Sequence, residues 1–194
     1  MNQRGRDRPL SRPVFLVGLM GCGKTTTGRA AASALGVPFV DNDARIAELA
    51  GTSTVALAAA GGSLLHDWEH RYAADCAARA EPAVVGVPAS CADRPGDLAL
   101  LRGAGSLVYL RADADVLARR VLADGPRPWL SADPAEVEAL VSGLHTRRDP
   151  VLVGAVHLVL DAHQPVDALV GGLLDFLSSP RAAGAAEGAA LAAG

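Results

Sequence analysis

Val14-Phe15-Leu16-Val17-Gly18-Leu19-Met20-Gly21-Cys22-Gly23-Lys24-Thr25-Thr26 is the stretch on which the reading of the fold turns. Its first four residues are uniformly apolar, the pattern of a short strand buried on both faces, and glycine ends the run. The segment from Thr25 to Leu35 then has helical composition. Glycines at Gly18, Gly21 and Gly23 permit the dihedrals that turn successive backbone N–H groups inward, forming a ring of donors to which the helix adds its positive end. A strand, a glycine-rich turn and a helix in this order make an anion cradle. The residues of Gly21, Cys22, Gly23, Lys24, Thr25 and Thr26 would surround a nucleotide's phosphates, with Lys24 reaching the β- and γ-phosphates and the Thr25 hydroxyl placed to ligate magnesium. A chance glycine-lysine turn lacks this strand-before, helix-after context. Cys22 has two readings, a thiol activated at a helix N-terminus or a small residue filling the loop, and the second is preferred.

Outward from this stretch, apolar runs recur at 38–40, 83–85, 107–110 and 157–160, each separated by a stretch of helical composition. Five strands alternating with helices predict an α/β fold, a five-stranded parallel sheet flanked by helices. The helical stretches are expected at 25–35, 44–49, 64–79, 113–122, 134–148 and 165–177. The chain has 194 residues, enough for one domain with a sizeable core, and 50% of them are hydrophobic while only 4% are aromatic, so Val, Leu and Ala must build that core. Residues 1–12 read as a basic flexible arm, 13–178 as the folded domain and 179–194 as an Ala/Gly-rich disordered tail. A net charge of −3 gives no basic face for nucleic acid. Apolar runs fall far short of the ~20 residues that span a bilayer, and three cysteines without metal-ligand spacing suit a reducing cytoplasm.

Asp41 and Asp43 follow the second expected strand, at the edge where open α/β sheets bind ligands. If that end stays extended, residues two apart point the same way and both acids face the γ-phosphate. Asp41 would then hold a magnesium-bound water, and Asp43 would accept the proton of an attacking hydroxyl. The plainer reading is that one of them caps the helix that follows.

From Gly18 to Asp43, with Ile46 and Glu48, the sequence closely resembles the shikimate kinase family, small P-loop kinases that phosphorylate the 3-hydroxyl of shikimate with MgATP. The likeness extends from Val14 to about Leu177. Gly61 and Glu69 match the spacing of the family's Gly-Glu-x-x-Phe-Arg-x-x-Glu segment, and 107–110 matches its fourth strand. The resemblance implies a three-layer P-loop NTPase architecture and a short lid at about 121–134. It places Arg120 at the adenine side, Arg127 in the lid over the transferred phosphate, and Arg148 as the C-terminal substrate-binding arginine. It gives the magnesium shell to Asp41 and the acceptor hydroxyl to Asp43, and implies a monomeric cytoplasmic enzyme.

Departures cluster on the acceptor side. His66 stands where the family has the arginine that grips the shikimate carboxylate, Gly62 replaces a glutamate, Pro88-Ala89-Ser90 replaces a Gly-Gly-Gly turn, and Leu152 a tyrosine. Losing one bidentate charge-assisted pair costs on the order of 2–5 kcal/mol of acceptor binding unless His66 and Arg148 share the carboxylate. Two alternatives therefore stay open beside shikimate phosphorylation: a kinase of the same family acting on another cyclitol, sugar or small alcohol, and a nucleotide-binding module without catalysis.

Overall fold

The computed structural model describes residues 10–125, 130–180 and 182. The apolar run at the head of the phosphate loop forms β1, Val14–Val17, with all four residues fully buried. Burial on both faces follows from its place in the sheet. β1 pairs in parallel with β3 (Val84–Val87) on one side and with β4 (Ser106–Arg111) on the other; β2 (Phe39–Val40) lies beyond β3 and β5 (Leu158–Asp161) beyond β4, giving the order β2-β3-β1-β4-β5. All pairings are parallel, as the alternation of strands and helices predicts.

Successive side chains of β1 point to opposite faces and so serve two cores. Val14 and Leu16 pack with Ala31, Ala32 and Leu173, which come from α1 (Lys24–Leu35) and α8 (Val166–Leu177). Phe15 and Val17 join the larger cluster with Ile46, Tyr72, Leu117 and Val141, drawn from α2 (Asn42–Ala50), α4 (Gly62–Ala77), α6 (Ala114–Ala123) and α7 (Pro134–Ala155). Among the described residues no helix is long and apolar enough to cross a membrane.

Several boundaries differ from expectation for identifiable reasons. α2 begins at Asn42, not Ala44, because Asp41 is its N-cap, its side chain accepting from the Asp43 N–H at 3.0 Å. The 41–43 segment is therefore not extended, and the inference that Asp41 and Asp43 point the same way does not hold. A short helix α3 (Thr54–Ala60), capped by the Ser53 hydroxyl on the Ala56 N–H, was not expected; nor were the 3-10 turn Ala89–Asp93 and helix α5 (Pro95–Ala104) after β3. α7 runs past Arg148 to Ala155 although Pro150 lies inside it. Proline removes one helical hydrogen bond, but the preceding two residues are pinned from opposite sides: Arg148 to Asp93 and Asp149 to Arg111 and Tyr109. Leu152, fully buried, anchors the turn beyond.

α4 is held to the sheet by the Tyr72 hydroxyl, which donates to the Gly86 carbonyl of β3 at 2.6 Å from a fully buried position. Burial pushes the Tyr72 phenol far above its usual range. Its neutral form is thus favoured in the fold: the stabilisation is complete below pH ~10 and is lost as pH rises beyond it. Tyr72→Phe should lower unfolding free energy by about 1–2 kcal/mol in urea titrations at pH 7. It should also reduce the fall in stability above pH ~10. An unchanged alkaline limb would show that the hydroxyl is not held as described.

Candidate active site

The phosphate loop owes its shape to two left-handed glycines, Gly21 at φ +79° and Gly23 at φ +89°. At Gly21 space adds to conformation, since a Cβ there would lie 2.8 Å from the Leu117 carbonyl oxygen of α6. Gly18 is required for proximity instead, a Cβ meeting the Leu110 carbonyl at 2.7 Å and Cys22 Sγ at 2.6 Å. The dihedral argument made for all three from sequence thus applies to two. Gly23 is the N-cap of α1, which has neither a capping side chain nor an acid in its first turn. Its leading N–H groups therefore remain available to an anion. Cys22 is buried behind Gly18, the loop-filling role.

Lys24 arches back over the loop, its Nζ donating to the Gly18 carbonyl at 2.6 Å. The Thr25 hydroxyl donates to Asp41 Oδ2 at 2.9 Å while Asp41 Oδ1 caps α2. Capping and site chemistry thus coincide in one residue, each carboxylate oxygen serving one. Asp43, in the first turn of α2, is exposed and accepts from the Asn42 amide at 2.8 Å. Thr26 is exposed one step along α1.

Arg120 bridges the loop to the segment after β5: Nη2 donates to the Ala162 carbonyl at 2.9 Å and Nη1 points to the Gly21 carbonyl at 3.4 Å. This places Arg120 and the 163–165 turn on the same side of the cradle. Arg127 lies outside the described residues, as do 126, 128 and 129 of the 121–134 segment expected to form the lid.

Past the carboxyl end of β3 a cleft of about 270 Å³ opens between α4, which supplies His66, Asp67 and His70, and the segment supplying Ser90, Asp93 and Asp97. His66 lines this cleft. Its Nδ1 lies 2.8 Å from Glu69 Oε2, which also accepts from the Ser90 hydroxyl at 2.6 Å. Glu69, its side chain largely buried, thus ties α4 to the 88–90 turn. Arg148 departs most from expectation. It is nine-tenths buried and forms a two-pronged pair with Asp93, Nε to Oδ1 at 3.0 Å and Nη2 to Oδ2 at 2.5 Å. This pairing holds the Asp93 carboxyl below its usual range, with His66 and Arg147 adding to the effect. No motif marks Asp93. It sits in Cys91-Ala92-Asp93-Arg94, where only the fold reveals its partner.

Residues 20–178 match the family model described as shikimate kinase. The chain is 35% identical to a shikimate kinase of Ralstonia nicotianae over 156 residues, 80% of each chain, and 36% identical to one from Burkholderia thailandensis over 163 residues, 83% of this chain and 87% of the relative. Among solved structures, the shikimate kinase of Acinetobacter baumannii in complex with shikimate superposes with a TM-score of 0.79 at 24% identity, covering 89% of this chain and 96% of that one.

All three cysteines are buried, and burial raises Cys76 to about 11 and Cys91 further. An aromatic disulfide reagent at pH 8 should find fewer than one reactive thiol per chain within minutes, and all three after denaturation. Prompt reaction of the native protein would mean that the loop around Cys22 is open.

Proposed function

The chain belongs to the shikimate kinase family, and on that premise we propose that it transfers the γ-phosphoryl group of ATP to the 3-hydroxyl of shikimate. The observation that carries the reading is the Thr25 to Asp41 hydrogen bond beside the glycine loop. A hydroxyl and a carboxylate, both hard oxygen donors, meet there beside the loop that would hold the β- and γ-phosphates, which supports this reading. Such a donor set fits Mg2+ in company with ATP. Thr25 and Asp41 would hold the ion, which when bound neutralises charge along the phosphate chain.

The chain's own residues do the rest. The N–H groups of 21–26 and the end of α1 bind and orient the phosphates. Lys24, already turned over the loop at Gly18, balances charge on the moving phosphoryl group. Arg127, assigned by resemblance, adds a guanidinium from the lid, and Arg120 steadies the adenine side. Asp43 accepts the proton of the acceptor hydroxyl as the oxygen attacks phosphorus, while His66 lines the acceptor side and Arg148 stands behind it, paired with Asp93. We read the protein as a cytoplasmic monomer with no nucleic-acid or membrane partner. A second reading, a kinase of another hydroxylated small molecule, draws support from the pairing of Arg148 with Asp93.

ADP formation from MgATP should depend on added shikimate, with phosphorus NMR showing a single phosphate ester at the 3-position. Turnover with other polyols but not with shikimate would favour the second reading. Asp41→Asn separates the two duties of that residue. Asparagine caps as well as aspartate, so stability should stay within about 0.5 kcal/mol. The loss of charge should reduce kcat/KM for MgATP at least tenfold, and an undiminished value would remove Asp41 from the metal shell. Asp43→Asn should lower kcat by roughly 10²–10⁴-fold.

A further inference from the structure

Asp93 faces the acceptor cleft, whereas Arg148 is not among the residues that line it. The guanidinium sits behind the carboxylate, nine-tenths buried, with its two parallel donors spent on Asp93. Asp93 itself is nearly half exposed, its side chain 45% accessible against 10% for Arg148. The other ionic groups of the lining are paired among themselves, Asp67 with Arg94 at 2.9 Å and the buried Asp97 with His70 at 2.5 Å. A carboxylate entering the cleft therefore meets Asp93 before it meets the arginine. His66, the other candidate for that contact, already has its Nδ1 against Glu69.

From this arrangement we propose that Asp93 is a specificity-determining residue of the acceptor site: an internal carboxylate that competes with the acceptor's own carboxylate for the fork of Arg148. The proposal rests on the shikimate reading above, since it concerns the same cleft. Its physical content is an exchange. An anionic acceptor gains the bidentate pair only by displacing an equivalent pair, so its net gain is small, whereas an uncharged acceptor forgoes nothing. The site consequently discriminates weakly between an acidic acceptor and its neutral isostere, although it contains the arginine suited to make that distinction.

The test compares shikimate with its methyl ester on the full-length protein and on Asp93→Asn, with Asp93→Ser as a second variant in case the first folds poorly. Dissociation constants come from calorimetry and KM from ADP release. The expected result is that Asp93→Asn binds shikimate at least tenfold tighter while the ester changes little, so the acid-to-ester preference rises about tenfold or more. The shikimate-induced rise in melting temperature should grow in parallel. Equal changes for acid and ester would mean that Asp93 merely braces the cleft, and weaker shikimate binding would mean that it positions Arg148 for the substrate; either overturns the proposal. If no protein in the series phosphorylates shikimate, the functional reading fails. The binding ratio then decides the present inference by itself, a rise in acid preference upholding it and a constant ratio refuting it.

Discussion

The passage of the phosphate loop beneath α6 at Gly21 is the constraint around which the site is arranged. The backbone there is left-handed and close to the Leu117 carbonyl, so neither the loop nor α6 can shift without the other. α6 also carries Arg120, which reaches from the loop to the turn after β5. The cradle, α6 and the turn after the last strand are thereby joined. β1 is fully buried between β3 and β4, so the loop is carried by the central strand of the sheet, a setting suited to a preorganised anion site.

Around that fixed point the cleft that holds His66 is built from side chains instead of backbone. α4 is tied to the sheet by Tyr72 and to the 88–90 turn by Glu69, and α7 is tied to the same region by Arg148. Backbone cradles tolerate little change, whereas a wall made of paired side chains can be altered one pair at a time. The departures at His66, Pro88, Ala89 and Ser90 fall in the second kind of structure.

What could be read from the sequence follows the same division. β1 and the start of α1 are legible because a fully apolar run, glycines and Lys24-Thr25 are all local signals. The strands at 84–87 and 106–111 are legible for the same reason. α3 escaped notice because its Ala-rich run between Gly51 and Gly61 has no amphipathic stripe, and α5 because Pro95 and Gly96 at its start look like a loop. α7 continues past the expected end at 148 because tertiary pairing of Arg148 and Asp149 overrides the helix-breaking tendency of Pro150. Asp43 and His66 could be singled out from spacing and resemblance, and the structure puts His66 in the cleft. Asp93 could not be found in this way, because its significance is a contact across 55 residues with Arg148.

Arg148 and Asp149 are neighbours of opposite charge that tie α7 to the same edge of the sheet at two points, one to Asp93 after β3 and the other to Arg111 at the end of β4. A buried guanidinium normally makes a protein hostage to its ligand, since the charge is costly whenever the ligand is away. Here the guanidinium is neutralised by the protein itself. The stability of the fold therefore does not hinge on whether any one acceptor is bound, because the counter-ion of Arg148 is carried by the chain.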